Sequence, residues 1–137
     1  MIIELLAANI IYFQKPQIEM RPAAVELALT TPVEPDLTTK EGIVTFAHQK
    51  VIETWGEGEW ESFRLLVEKE SGFDPLVKNP KSTAFGIGQF VDKTQRAYGI
   101  EGVADPKLQI GATIKYIQDR YGTPSVAWTY HKKHNFY

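Results

Sequence analysis

Helix start and stop signals recur along this chain after residue 38, and their spacing limits the fold more than any other sequence feature. The stretch TTKE at residues 38–41 resembles a capping box, with Thr38 as the cap and Glu41 three residues later. Asp105 followed by Pro106 is a second helix start, because proline is favoured at the first helical position. Stops follow at Gly56, Gly72, Gly99 and Gly122. This spacing predicts several short helices rather than one long helix or a sheet.

The runs between these stops carry apolar residues at helical spacing. These residues are Val44, Ala47, Val51 and Trp55, then Trp60, Phe63, Leu66 and Val67, and finally Ile110, Ile114, Ile117 and Tyr121. They predict helices over about 38–55, 59–71, 91–98, 105–121 and 125–134, whereas the stretch AFGIGQF fits either a strand or a helix. No convincing alternating strand pattern is present. The predicted fold class is therefore mainly α, in a compact helical domain over residues 38–137.

Residues 1–37 differ in composition from the rest of the chain. The opening MIIELLAANIIYF is apolar, but no Lys or Arg precedes it and the run is too short to span a bilayer. It fits a docking helix or strand, an atypical export or membrane-surface segment, or a boundary of the given sequence. Four prolines follow, at Pro16, Pro22, Pro32 and Pro35. We predict an extended N-terminal arm or linker over residues 1–37, because such proline density opposes a long helix.

Cysteine content and charge exclude several classes of function. The chain has no cysteine, which excludes disulfides, thiol catalysis and Cys-based zinc sites. Residues 71–137 carry nine Lys or Arg against five Asp or Glu, although the whole chain has a net charge of −2. This balance fits a solvated surface, or a surface that meets an anionic or neutral polymer. No dense basic stripe is present, so we predict no nucleic-acid partner.

Glu70 is the most informative single residue, because helical spacing places it on an apolar face at a helix end. It follows Phe63, Leu66 and Val67 by seven, four and three residues, so all four share one side of the helix. Burial and the negative end of the helix dipole both oppose ionisation and should raise the pKa of Glu70. A carboxyl that stays protonated near neutral pH suits a general acid. A rim position or a salt bridge is the alternative interpretation.

Three stretches together resemble the lytic transglycosylase family of the lysozyme-like superfamily. These stretches are ESGFDP, NPKSTAFGIGQF, and RYGTPSVAW with the His and aromatic residues after it. A further stretch, QIGATIKYIQDRYGTP, is similar to the family's penultimate helix. The resemblance covers about residues 41–137 and is strongest to small domains of phage tail proteins and exported actinobacterial proteins. It implies a lysozyme-like α fold with a cleft for the glycan strands of peptidoglycan, and a virion-associated or extracytoplasmic location.

The resemblance also implies which residues form the site. Glu70 matches the catalytic acid and base, and Ser71 matches the serine that helps to orient the sugar. Gln89 matches the glutamine that lines the cleft, with Gly86 before it at a tight approach. The family's late Ala-Tyr-Asn-Ala-Gly motif is absent as such, so either Trp128 or Tyr130 supplies the aromatic contact to the sugar. His131 then stands in place of the asparagine.

Two positions depart from the family pattern. Thr83 stands where most relatives have glycine, which puts the local backbone in question because a β-branched residue resists positive φ. Gly88 stands where many relatives have methionine, which implies that one apolar contact to the substrate is absent.

Other polar residues are predicted to be structural. Asp74 is read as a turn residue, with a second catalytic carboxylate as the alternative, and Asp92 and Asp105 are read as helix caps. His131 and His134 are three residues apart, but no third metal ligand is evident, so surface histidines are the simpler interpretation.

A single carboxylic acid is enough for the reaction that the resemblance implies. Glu70 would protonate the oxygen between N-acetylmuramic acid and N-acetylglucosamine, and would then take a proton from the sugar's own 6-hydroxyl to close a 1,6-anhydro ring. No metal or organic cofactor is required. The alternatives are a lysozyme-type hydrolase, which normally needs two carboxylates, and a non-catalytic virion or wall-binding component. Residues 1–37 would tether the domain to other virion or cell-envelope proteins.

Overall fold

The computed structural model describes residues 33–137, and within this range it is built almost entirely from helices. The helices are α1 (Lys40–Trp55), α2 (Trp60–Glu70), α3 (Asp92–Ala97), α4 (Pro106–Tyr121) and α5 (Pro124–His134), with a 3-10 turn at Glu57–Glu59 before α2. The described residues contain no strand, only isolated β-bridges. The mainly α fold is thereby confirmed. The arm predicted for residues 1–37 lies largely outside the described part of the chain.

The core forms where α2 packs against α5 and α1 packs against α4. The apolar faces predicted from the sequence supply it, because Ala47, Val51, Phe63, Leu66 and Ile117 are fully buried. Further members are Ile43, Val67, Phe73, Ile87, Ile110, Ile114 and Ala127. In the described residues, no helix is long and apolar enough to cross a membrane. Packing of two helix pairs around one core therefore fixes the direction of α2, whose last residue is Glu70.

The helix starts differ from the predictions at two of three positions. Thr39 rather than Thr38 caps α1, since its hydroxyl accepts the Gly42 N–H at 3.1 Å. Thr38 instead donates its hydroxyl to Asp36 at 2.7 Å and is not available as a cap.

The start of α3 is also not capped by its predicted residue. Asp92 is the first helical residue and follows Val91, which makes no side-chain cap. The N–H of Asp92 donates to the Thr83 hydroxyl at 3.1 Å, so the capping oxygen comes from nine residues earlier. Asp105 caps α4 as predicted, because its carboxylate accepts the Lys107 N–H at 2.8 Å.

The stretch AFGIGQF forms neither a strand nor a helix. It turns back on itself, with single bridges from Phe85 to Lys78 and to Phe90. Gln109 of α4 anchors the turn, because its side chain accepts the Ile87 N–H at 2.7 Å. The same amide donates to two carbonyls of neighbouring loops, Pro75 at 3.0 Å and Val103 at 2.7 Å. One buried side chain thus ties this turn to the helical core.

Candidate active site

Glu70 is the last residue of α2, at the edge of its buried face. Phe63, Leu66 and Val67 on that face are each 0% exposed, and 17% of the Glu70 side chain is exposed. Burial raises the pKa of Glu70 to about 7. A substantial fraction of this carboxyl therefore keeps its proton at neutral pH, as the sequence pattern predicted.

The chain reverses direction directly after Glu70. Gly72 and Phe73 both adopt left-handed backbone conformations, with φ of 62° and 63°. This conformation is unusual for a bulky residue, and here it places the Phe73 ring in the core at 1% exposure. The Ser71 hydroxyl donates to the Ile87 carbonyl at 2.7 Å. This bond joins the end of α2 to the AFGIGQF turn, so the two halves of the sequence pattern meet in space.

His131 contacts Glu70 from the facing helix. Its Nε2 lies 2.9 Å from Oε1 of Glu70, and the residue is only 5% exposed. Burial lowers the pKa of His131, and the charge of Lys69 lowers it further. The interpretation of His131 as a surface histidine is therefore wrong, because α5 packs this side chain against the end of α2. His134 is exposed, as that interpretation predicted.

Trp128 packs behind His131. The two rings are stacked with centroids 5.5 Å apart and planes inclined by 21°, while the indole also packs against the core. The Lys132 ammonium lies 5.8 Å from the indole centroid. Trp128 thus packs against the core, which is one of the two positions that the sequence left open, and its contact with a sugar stays a prediction.

Tyr130 points to another part of the surface. Its ring packs against Tyr121 at 5.5 Å and His134 at 4.2 Å, measured between centroids. Together with Ser125, Val126, Thr129, Lys133 and His134, it lines a surface cavity. Within residues 33–137, no hydrogen bond joins the Tyr130 side chain to Glu70, and the ring contacts of Tyr130 are with other residues.

Gln89 and Gly86 shape the AFGIGQF turn. Gln89 is a left-handed residue, with φ of 49°, and its amide donates to the carbonyls of Gly86 at 2.9 Å and Val77 at 3.2 Å. Gly86 has φ of 74°, and a Cβ there would lie 2.5 Å from the Gln109 side chain. Only glycine fits this close approach, as the tight turn inferred from the sequence requires.

The two departures from the family pattern have structural explanations. A Cβ at Gly88 would lie 2.7 Å from the Thr113 hydroxyl and 2.9 Å from the Phe90 ring. The Gly88 carbonyl also accepts the Tyr137 hydroxyl at 3.2 Å. Glycine at position 88 is therefore explained by close packing. Thr83 does not adopt positive φ, so the backbone problem expected for it does not arise.

The remaining acidic candidate lies at the surface. Asp74 is exposed, and its carboxylate accepts the Leu76 N–H at 2.8 Å, which is the turn geometry predicted for it. Burial is the cause of the raised Glu70 pKa. In residues 33–137, no three His, Asp or Glu side chains cluster in a way that would hold a metal ion.

Three surface cavities, of about 430, 460 and 470 Å³, lie among the described residues. The first lies beside Thr83 and Phe85, the second beside Leu37 and Phe73, and the third beside Tyr130. Glu70 lines none of these three cavities. A ligand therefore reaches the Glu70 carboxyl at the exposed edge of the side chain and not through one of these three cavities.

Gln109 is the residue that sequence reasoning missed. It is 2% exposed, and Thr113, which is 0% exposed, lies one turn later on the same helix face. The signal was present in the sequence, because a glutamine beside Ile110 on an apolar face needs hydrogen-bond partners once it is buried. Its partners lie in distant loops, so the sequence pattern did not identify them.

Comparison with known proteins gives one match. A family model described as Transglycosylase SLT domain matches residues 50–131, more than half of the 137 residues. The matched range runs from the second half of α1 to His131, and it includes both the end of α2 and the AFGIGQF turn. No curated protein and no solved structure matches the chain.

Proposed function

This chain belongs to the transglycosylase SLT domain family, and we propose that it is a peptidoglycan lytic transglycosylase that uses Glu70 as its single acid and base. The observation that carries this proposal is the position of Glu70 at the end of α2. Its carboxyl is largely buried, reaches solvent at one edge, and has a pKa raised to about 7 by burial. An acid with these properties can both give up and take back a proton near neutral pH.

The position of Asp74 favours transglycosylation over hydrolysis. Glycoside hydrolases usually use two carboxylates, one as acid and one as base or nucleophile. Asp74, the second catalytic carboxylate that the sequence offered as an alternative, is exposed and engaged in a surface turn. A reaction in which the sugar supplies its own nucleophile needs one acid only.

The proposed reaction passes one proton through Glu70. The protonated carboxyl gives its proton to the oxygen between N-acetylmuramic acid and N-acetylglucosamine, and the C1–O bond breaks with its electron pair on that oxygen. The muramyl N-acetyl group stabilises the positive charge that develops at C1. The 6-hydroxyl of the same sugar attacks C1, and its proton returns to the Glu70 carboxylate. The products are an N-acetylglucosamine hydroxyl end and a 1,6-anhydro-N-acetylmuramic acid end, and no water is consumed.

Ser71, which follows Glu70, and Gln89 of the AFGIGQF turn have polar side chains that suit contacts with the glycan. The Ser71 hydroxyl donates its proton to the Ile87 carbonyl, so its oxygen can only accept a hydrogen bond from a sugar. The side-chain amide of Gln89 donates to the carbonyls of Gly86 and Val77. Its side-chain oxygen is left as an acceptor. We propose that both accept hydrogen bonds from sugar hydroxyls. For the aromatic contact we favour Trp128 over Tyr130, because Trp128 stacks on the histidine that touches Glu70.

The substrate sets the location of the reaction. Peptidoglycan lies outside the cytoplasm, so the enzyme acts in an extracytoplasmic location or from a virion. We propose that residues 1–37 attach the catalytic domain to other virion or cell-envelope proteins. Nucleic acid is not a partner in this proposal, and neither a metal nor an organic cofactor takes part.

Product analysis on purified peptidoglycan tests the proposal. The wild-type chain should release fragments with 1,6-anhydro-N-acetylmuramic acid ends, and Glu70→Gln should lower turnover by about 10³-fold or more, because a neutral amide cannot give up a proton. Asp74→Asn is the matched control and should keep full turnover.

The other outcomes identify the alternatives. Reducing ends in place of anhydro ends would assign the chain as a lysozyme-type hydrolase. Wild-type protein that binds glycan but leaves it uncut would assign a non-catalytic binding component. Equal activity of the wild type and Glu70→Gln would refute the role of Glu70.

A further inference from the structure

The contact between His131 and Glu70 joins two helices, α5 and α2, that lie far apart in the sequence. Nε2 of His131 lies 2.9 Å from Oε1 of Glu70, which is direct polar contact between the two side chains. The histidine side chain is 6% exposed, and Trp128 stacks on its ring. The imidazole is therefore held in one orientation with a nitrogen against the carboxyl.

We propose that His131 is a positioning residue that holds Oε1 of Glu70, so that Oε2 is the oxygen that exchanges the proton with the sugar. This role rests on the function proposed for Glu70. In residues 33–137, His131 is the one side chain that forms an ion pair with the Glu70 carboxyl, so its removal leaves the carboxyl free to rotate. The imidazole tautomer with its proton on Nε2 would donate to Oε1 in both protonation states of the acid.

The charges around the pair favour the neutral form of the imidazole, and burial favours the protonated form of Glu70. On α2, Glu70 itself faces the imidazole, and Lys69 lowers the pKa of His131 in addition to burial. On α5, Lys132 lies over Trp128, on the indole that stacks on the imidazole. After α5, Tyr137 is close enough for the Glu70 charge to raise its pKa, although burial is the larger cause.

On α4, the charge of Arg120 is directed toward aromatic rings. Arg120 lies over the rings of Tyr116 and Tyr121, with its guanidinium 5.7 and 5.9 Å from their centroids. A neutral imidazole beside a protonated carboxyl follows from these surroundings, because burial disfavours the charged form of each partner. When Glu70 gives its proton to the sugar, an N–H at Nε2 stabilises the carboxylate that remains. His131 thus eases the proton transfer without touching the reacting sugar.

A titration of the wild-type protein tests the pairing without any assay of cleavage. The ¹³C signal of the Glu70 side-chain carboxyl and the ¹⁵N signals of the His131 ring are followed from about pH 4 to pH 9. If the two groups are coupled, each signal shows two inflections at the same two pH values. Two independent curves with one inflection each would overturn the proposal. Because the titration needs no substrate, it gives an answer even if the chain does not cleave peptidoglycan.

Two substitutions separate positioning from packing. His131→Gln keeps an N–H near the position of Nε2, so turnover should stay within about tenfold of the wild type while the second inflection of Glu70 disappears. His131→Phe fills the space but offers no donor, so kcat should fall by roughly 10- to 100-fold with KM little changed. In this variant the Glu70 inflection should move to higher pH, since a donor to the carboxylate is lost.

His134→Gln on the same helix is the matched control and should leave both turnover and the Glu70 titration unchanged. Equal kcat and an unchanged Glu70 titration in His131→Phe would refute a positioning role. If His131→Phe does not fold, as judged by circular dichroism, the wild-type titration and His131→Gln still decide the question. A Glu70 signal that is the same in the wild type and in His131→Gln would count against the proposal.

Discussion

At the scale of single residues, the site depends on a carboxyl that is largely buried although burial opposes its ionisation. The helical spacing of Phe63, Leu66 and Val67 carries Glu70 onto the apolar face of α2, and the core then covers most of its side chain. Natural sequences break a local rule of this kind mainly where function requires it. A measurable loss of stability should accompany the raised pKa.

The first prediction concerns the stability cost of Glu70. As pH rises from 4.5 to about 7, an unfolded chain loses the Glu70 proton while the folded chain keeps it, so the free energy of unfolding falls. In Glu70→Gln this side chain does not titrate, so the variant does not undergo this fall in the free energy of unfolding. The variant should equal the wild type below about pH 4.5 and exceed it by at most about 3 kcal/mol near pH 8. Denaturant unfolding at both pH values measures the difference, and a gap that does not vary with pH would contradict it.

The second prediction concerns the glycine at position 88. A methyl group there meets the Thr113 hydroxyl and the Phe90 ring, so Gly88→Ala should lower the free energy of unfolding by about 1–3 kcal/mol. The matched control is Gly111→Ala in α4, where a Cβ meets open space and should stabilise the helix by about 0.5–1 kcal/mol. Thermal unfolding compares the two variants. Equal stability of both would show that position 88 is not closely packed.

At the scale of secondary-structure elements, the helices follow from local signals but their connections depend on distant partners. Asp105 caps α4 from its own position, and this start was predicted correctly. At α1 two adjacent threonines compete, and Asp36 decides between them because it accepts the Thr38 hydroxyl. At α3 the hydroxyl at the helix start comes from Thr83. A local pattern cannot identify a partner of that kind, because the intervening turn has to fold first.

The third prediction concerns the anchor of the AFGIGQF turn. Gln109→Ala removes three hydrogen bonds and leaves the Ile87 N–H and two carbonyls without this partner. The free energy of unfolding should fall by roughly 2–4 kcal/mol, because each buried polar group that loses its bond costs about 1–3 kcal/mol. Gln118→Ala, at an exposed position of the same helix, should change stability by less than about 0.5 kcal/mol. A loss of the same size in both variants would contradict the anchoring role.

At the scale of the whole molecule, the described range 33–137 contains every side chain assigned to the site. Glu70 is the last residue of α2, Ser71 follows it directly, and His131 lies on α5. Of all the helix pairs in this range, α2 and α5 pack most extensively against each other. The family match also falls within this range, at residues 50–131. The catalytic part of the proposed function should therefore not require the segment 1–32.

The fourth prediction tests this division of the chain. Deletion of the segment 1–32 should leave peptidoglycan turnover within about threefold of the full chain, because no group of the proposed mechanism is removed. Association with envelope or virion proteins should be lost, if residues 1–37 act as the tether proposed for them. Turnover of both chains on purified peptidoglycan and their sedimentation with envelope fractions are the measurements. A large loss of turnover would mean that the deleted segment completes the site.

The helices, the apolar faces and the burial of Glu70 could be predicted from local sequence, because these features depend on spacing within one segment of chain. The sequence also determined the family, because Glu-Ser and Gly-Ile-Gly-Gln are distinctive even at a separation of about sixteen residues.

Only the tertiary structure placed His131 against Glu70, made Gln109 an anchor and turned Tyr130 toward a separate cavity. Each of these depends on how one helix is rotated and placed against another. Helix packing sets that rotation through many small contacts at once, so no short stretch of sequence encodes it.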